Sequence, residues 1–467
     1  MKYRMRKQML IVLSILILIA LFIILKDVVH IYGKEYTIAS TCDTAGGIYK
    51  DCIFCEKRSL VSVIPISGHN GIWTDRKKPT SATPGEKELR CTVCKQLLDL
   101  LKIPPKDADV PTIRIIGSGI GMPHIKSVNV NFNYKSSTSH DNRAESMGTM
   151  NVRLMNEIVN YDWKHNYILN NFSMFEGYTL SFSEFGYAEQ IELHSNVDDR
   201  TRTRRIVSSK LWQNVTSEKY PNYDKYNHLK DNMSYAGYNT LLYINSKGTG
   251  YGFAGIYTLT VPYSDFITRV DGNEKLYILK QTMKDGQTNF EHVFGNKEKL
   301  DSMTSSLKDM LTSNSKFKTM SDPELLIDYY CFADILGNTM ALDNLYWIYN
   351  GKKWLPQFIA TEYVLGCQKD SMDLVPSNTS FSGENAFWNN LVQSYSETIY
   401  KRTFELVDDV LSPANVRQEF ITNISLIEDD IYEDEHLTYE IDYIPPSYAL
   451  DEIVEWYNKR IEALNIK

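Results

Sequence analysis

An α+β fold is what this sequence predicts for its large C-terminal part, set behind a membrane-spanning helix and a small cysteine-rich, β-rich module. Three observations carry that expectation. An apolar run occupies residues 9–25, five of the seven cysteines fall between Cys42 and Cys94, and from Val110 onward strand-like and helix-like patterns mix without repeat. A hydrophobic content of 43%, an aromatic content of 12% and 31 tyrosines describe a folded chain rather than a disordered one. A net charge of −8 sets nucleic acid aside as a partner.

Met9 to Leu25 are seventeen residues of which only Ser14 is polar. At about 1.5 Å per residue this run covers a hydrocarbon core only if flanking side chains snorkel. Lys2, Arg4, Arg6 and Lys7 precede it without an acid, while Lys26, Asp27 and His30 follow. The charge asymmetry makes residues 1–8 a cytoplasmic tail, residues 9–25 a signal anchor that crosses the membrane once, and the remainder an external portion. A cleaved signal peptide would need a small-x-small site, which Lys26 to Tyr32 does not offer.

Residues 38–108 form the cysteine module. Cys52-Ile53-Phe54-Cys55 and Cys91-Thr92-Val93-Cys94 have chelating spacing and lie 39 residues apart. The same shift superposes Thr44-Ala45-Gly46 on Thr83-Pro84-Gly85 and Ile64-Pro65 on Ile103-Pro104, with Cys42 falling on Ser81, which marks an internal repeat. Each C-x-x-C knuckle presents two thiolates from one tight turn. Cys52, Cys55, Cys91 and Cys94 would together complete the tetrahedron that Zn²⁺ prefers in a zinc ribbon, with His69 as a substitute ligand. Disulfides are the alternative in an exported module, and the sequence leaves the two open. The Thr-Cys…Gly…Cys-x-x-Cys…Gly68-His69 rhythm resembles small cysteine-rich repeats found in tandem on secreted bacterial proteins, where they act as spacers.

Residues 110–467 make the large unit. Thr112 to Ile116 alternates as a short strand; Gly117-Ser118-Gly119-Ile120-Gly121 after it lacks the Lys-Ser/Thr and helix of a phosphate loop. Tyr178 to Ser183 reads as a strand and Thr203 to Gln213 as an amphipathic helix. Leu241–Ile244 and Gly255–Leu259 read as a strand pair about a tip at Lys247-Gly248-Thr249-Gly250. Ser321 and Glu324 form a capping box around Pro323, and the helix they open carries Leu325, Leu326, Tyr329, Phe332 and Leu336. Leu345–Tyr349 and Trp354–Ile359 form a hairpin about Asn350-Gly351, and a segment from Trp388 to Leu411 and a last helix bearing Leu450, Ile453, Val454, Tyr457, Ile461 and Leu464 cover the core.

The order of these segments resembles the kinase family named after spore coat protein H, the CotH family. Asp199-Arg-Thr-Arg-Thr-Arg204-Arg205 is similar to the family's D-x-[ST]-x-x-R-N helix, and Gly255-Ile-Tyr257-Thr-Leu259 to its G-x-Y-x-L strand. Gly337-Asn338, Asn344-Leu-Tyr346-Trp-Ile-Tyr349, Lys353-Trp354 and Gly366 follow its G-N-x-D…N-x-Y-x-Y…K-W…P-W-D-x-D-x-x-x-G signature. The resemblance implies an atypical, two-lobed protein-kinase-like domain that moves phosphate from ATP, with Mg²⁺ or Mn²⁺, onto secreted, wall or coat proteins. Carried onto this chain, it makes Asp343, Asn344 and Glu362 the candidate metal-holding and catalytic groups, and Arg204, Lys280 and Arg153 the candidate nucleotide-phosphate ligands.

The chain departs from that pattern where the chemistry lies. Met340 stands in place of the acid after G-N-x, and Ala360 and Glu362 replace the two acids of P-W-D-x-D. Val261 replaces the Glu after G-x-Y-x-L, and Glu176-Gly177 stand where a Lys precedes the Tyr178 strand. A transferase lacking its proton acceptor and half its metal site loses most of its rate. Two functions follow as expectations: a degenerate kinase serving as a binding or assembly module at a bacterial cell or spore surface, or an active atypical Ser/Thr kinase whose metal site Asp343, Asn344 and Glu362 rebuild. A hydrolase would need a paired set of carboxylates; Glu433-Asp434-Glu435 reads as a solvated run instead. His140 and His194 lack a nucleophile elbow, Cys331 reads as core, and Cys367 is the cysteine to watch.

Overall fold

Seven strands in the large unit close into a barrel; numbered along the chain, they are ordered fourth, fifth, seventh, sixth, first, second and third around it. The structure is a computed structural model; it describes residues 2–464 except 56, 82, 121–126, 137–144, 156–163, 183–184, 220–236, 247–251, 269–272, 285–286, 314, 339, 369–370, 373–384 and 439–443. The chain divides into two compact units, Met1–Pro79 with Thr83–Pro105, and Thr80–Ala82 with Lys106–Lys467.

The small unit opens with helix α1, Lys2–Val28. Among the described residues no helix is long and apolar enough to cross a membrane. The reason lies in the sequence: α1 is charged at both ends, and its apolar stretch of seventeen residues falls short of the roughly 20 that a hydrocarbon core of about 30 Å requires. This overturns the single-pass anchor at residues 9–25, and with it the cytoplasmic tail and the external placement of the rest.

Two three-stranded antiparallel sheets follow, β1 (Tyr36–Ile38), β2 (Gly46–Asp51) and β3 (Arg58–Ile64), then β4 (Gly71–Lys77), β5 (Gly85–Cys91) and β6 (Leu97–Ile103). The second sheet restates the first 39 residues later, since β5 begins where β2 does and β6 spans the shifted range of β3. Each sheet turns about a knuckle closed by the same backbone bond, Cys52 N to Lys57 O at 2.9 Å and Cys91 N to Gln96 O at 3.0 Å.

In the large unit the barrel strands are β7 (Thr112–Ile116), β8 (Val128–Lys135), β9 (Glu145–Leu154), β10 (Tyr167–Met174), β11 (Gln190–His194), β12 (Tyr238–Asn245) and β13 (Gly252–Thr260). Alternate residues such as Phe132, Tyr134, Met150, Val152, Leu169, Leu193 and Leu259 form one core, as period-two strands require. All neighbouring pairs are antiparallel except β7 with β12. A four-stranded sheet lies beside it in sequence, ordered β15 (Gln287–Phe294), β14 (Tyr277–Lys284), β16 (Leu345–Tyr349) and β17 (Trp354–Gln357). The two-stranded β18 (Cys367–Gln368) and β19 (Ser371–Met372) complete the strands.

The helices supply a second core around Trp212, Tyr329, Trp347 and Trp388. They are α2 (Arg204–Lys219), α3 (Tyr263–Ile267), α4 (Leu300–Thr312), α5 (Phe317–Met320), α6 (Pro323–Ile335), α7 (Ala386–Asp408), α8 (Pro413–Ile424), α9 (Glu428–Thr438) and α10 (Pro446–Ala463). Helix α6 packs on α7, α8 on both α2 and α10, and α9 on β13. A mixed α and β unit with a closed seven-stranded barrel therefore replaces the two-lobed kinase-like expectation.

Smaller differences have local causes. Asp322, not Ser321, caps α6, its side chain accepting from the amides of Glu324 and Leu325. Among the described residues of the expected strand 178–183 there is a single bridge, Phe182 to Gly186, because Gly177 and Gly186 at positive φ fold the segment into turns. The expected hairpin tip at residues 247–250 lies outside the described residues, as does His140.

Candidate metal centres and the kinase-like positions

Each knuckle in the small unit meets a histidine. Cys55 Sγ lies 3.3 Å from His30 Nδ1, and Cys94 Sγ lies 3.4 Å from His69 Nδ1. His30 and His69 are themselves 39 residues apart, so the repeat holds down to the ring atom. Among the described residues, only two groups of three or more His, Cys, Asp or Glu side chains bring their ligand atoms within 4.8 Å of one another: Cys42, His69, Cys91 and Cys94, and His30, Cys52 and Cys55. Cys52, Cys55, Cys91 and Cys94 thus do not share one tetrahedron; each knuckle belongs to its own cluster. Cys42 and His30 joined these clusters unnoticed in the sequence, although the 39-residue shift of His69 onto His30 was a signal for the latter.

Local bonds place these side chains. Thr41 Oγ1 accepts from the amides of Asp43 and Thr44, and Thr41 O accepts from Ser67 N at 3.1 Å, which brings Cys42 alongside Gly68-His69. Lys95 takes a left-handed φ of 63° and donates its amide to Cys91 O, closing the second knuckle. Asp43 Oδ1 sits 2.9 Å from His69 Nε2, which fixes the ring and leaves Nδ1 turned to the sulfurs.

The clusters also sort their thiols. Amide donation from Cys94 and the nearness of His69 draw the Cys91 thiol down to about 5, and the Phe54 amide with His30 draws Cys52 down to about 6. Burial and the neighbouring Cys91 sulfur push Cys42 up to about 11, and contact with Cys91 raises His69 to about 9. Sulfur donors that ionise readily beside an imidazole are the kind of set that soft divalent metals take.

The kinase-like positions are spread over the large unit, and several of them are engaged in internal bonds. Asp199 is fully buried and accepts from Thr201 N, Thr201 Oγ1, Arg204 N and Arg204 Nη1, the last at 2.6 Å, so Arg204 braces the start of α2. Glu362 is paired with Arg205, which also donates to Ala360 O at 2.6 Å. Asp343 Oδ1 accepts from Asn385 Nδ2 at 3.1 Å, and Asn344 Nδ2 donates to Met340 O at 3.2 Å. Lys280 lies in β14 opposite Glu291 and Tyr346, whereas Arg153 is exposed on barrel strand β9. Met340, in place of the missing acid, is 56% exposed.

The other candidates sit in packed surroundings. Cys367 is buried against Asp198 O and its thiol is pushed up to about 12, which suppresses the thiolate. Cys331 is likewise held at about 12 in the core of α6. His194 contacts Thr260 Oγ1 and Glu192, and burial lowers its basicity. Asp434, far from being a solvated acid, lies fully buried between Lys164 Nζ at 2.7 Å and Arg202, and accepts from Ile256 N at 2.6 Å. No family model matches the chain, and no curated protein matches it.

Proposed function

We propose that the large unit is a binding or assembly domain that has kept CotH-like motif order without phosphotransfer chemistry. One observation carries this reading: the acid left in the P-W-D-x-D position, Glu362, is neutralised inside the protein by Arg205. Asp343 is held by Asn385, and no carboxylate belongs to a described group of three or more metal-ligand side chains. Mg²⁺ asks for one or two free carboxylates beside substrate phosphates and an octahedron of oxygens. The Arg204 guanidinium, which would have met a phosphate, is engaged by Asp199. Its partners on this reading are proteins of the coat or wall class that the resemblance points to.

The test is calorimetric titration of the intact chain with ATP and Mn²⁺, followed by incubation with γ-labelled ATP and electrophoresis. Neither heat of binding nor label on the chain or an added acceptor protein is the expected result. Label transferred at enzyme-like rates overturns the reading and establishes the kinase.

A further inference from the structure

We propose that the small unit holds two zinc ions in unequal sites, because the first repeat passes one cysteine forward to the second. Cys91, Cys94 and His69 come from the second repeat, but the fourth member of their cluster, Cys42, comes from the first. The first repeat supplies the matching trio, Cys52, Cys55 and His30, yet position 3, where the forward-passed cysteine would stand, is a tyrosine. Position 81, the next in the series, is Ser81, and no third knuckle follows it.

Two ligand-to-ligand distances at the four-membered site have the lengths of edges in a zinc tetrahedron. Zn–S bonds of about 2.3 Å and Zn–N bonds of about 2.0–2.1 Å give ligand-to-ligand edges of roughly 3.5–3.8 Å. Cys42 Sγ to Cys91 Sγ is 3.6 Å and Cys94 Sγ to His69 Nδ1 is 3.4 Å. The sulfur–sulfur distance far exceeds a disulfide bond of about 2.05 Å. A disulfide also has no use for an imidazole aimed at the sulfur, or for Asp43 set behind that imidazole at 2.9 Å. A carboxylate behind a ligating histidine is the arrangement that raises ligand basicity and fixes its tautomer. Three thiolates and one imidazole complete a closed, structural zinc site.

The three-membered site repeats the bite of the knuckle and the histidine, with Cys55 Sγ at 3.3 Å from His30 Nδ1. Among the described residues it has no fourth donor, and the repeat gives a reason. Zinc bound there keeps one position for water or a small added ligand. Binding at either site releases the thiol protons to solvent and forms only metal–sulfur and metal–nitrogen bonds.

The experiment uses the intact chain, purified with reductant and equilibrated with zinc alone. Atomic emission is expected to give two zinc ions per chain, and a chromophoric chelator is expected to withdraw one fast and one slowly. Cys42→Ser removes the slow ion and spares the fast one; Cys52→Ser does the reverse. Asp43→Asn weakens the slow site by about 10- to 100-fold. To separate loss of a ligand from loss of the fold, Cys42→His is read in parallel with cobalt in place of zinc. It keeps the slow ion, while the sulfur-to-cobalt charge-transfer band loses the share of one thiolate. Added imidazole perturbs the cobalt spectrum of the fast site only. Absence of zinc from the reduced chain, iron in its place, a Cys42–Cys91 or Cys91–Cys94 disulfide found by mass spectrometry, or a slow ion and cobalt band unchanged in the Cys42 variants overturns the proposal.

Discussion

Asp434 shows how much a single side chain can be asked to do. Burial alone would raise its carboxyl, but the charges of Lys164 and Arg202 outweigh that and hold it below its ordinary value of 3.8. The same burial draws Lys164 down to about 8. Asp434→Asn strands two buried cations and is expected to cost about 3–5 kcal/mol in urea denaturation. A carboxylate depressed in the folded state lends stability that is present above its unfolded pKa of about 3.9 and lost as pH falls through the folded value. The wild-type chain therefore loses an acid-sensitive increment below about pH 4 that Asp434→Asn lacks, readable as converging denaturation midpoints. None of this was legible in Glu433-Asp434-Glu435, because a run of acids does not reveal which of them the helix turns inward; Asp434 and Glu435 are both buried. Glu362 was legible as a lone surviving acid, and its partner Arg205 was visible in the motif, but their pairing depended on the fold. Glu362→Ala is expected to lower stability by about 2 kcal/mol, the worth of a charged hydrogen bond, and to leave nucleotide titration heats as they were.

Among elements, local chemistry told the truth about most strands and helices. Asn350-Gly351 made its hairpin with Gly351 at φ 91°, and the apolar spacing of Leu450, Ile453 and Tyr457 made α10. The 39-residue repeat underlies the two three-stranded sheets. What local chemistry could not announce was closure of the barrel, since β7 pairs with β12 across a gap that no periodicity spans. The glycine of Gly255-Ile-Tyr257-Thr-Leu259, read as part of a motif, has a packing reason. It takes φ 123°, and a Cβ there would stand 2.4 Å from Asp434 Oδ1, so β13 can receive α9 only with glycine at this point. Gly255→Ala is expected to destabilise by at least about 1–3 kcal/mol and to lower the thermal midpoint of the large unit.

For the whole molecule, division into two compact units implies two transitions on heating. Ions that bind only the folded small unit stabilise it by mass action. A strong chelator is expected to lower the small unit's transition in differential scanning calorimetry and to leave that of the large unit in place, and re-addition of zinc to restore it. A single transition that moves as one would count against separate units.

The parallel seam between β7 and β12 has a consequence for how the chain is made. Thr240 Oγ1 donates to Pro111 O across 129 positions, and Lys164 waits for Asp434 across 270. During synthesis from the N-terminus the cysteine-rich repeats emerge before the first barrel strand finds its neighbour, and Lys164, in the connection ahead of β10, stays uncompensated until α9 has followed. Slow, late docking of the C-terminal helices is the cost of that wiring.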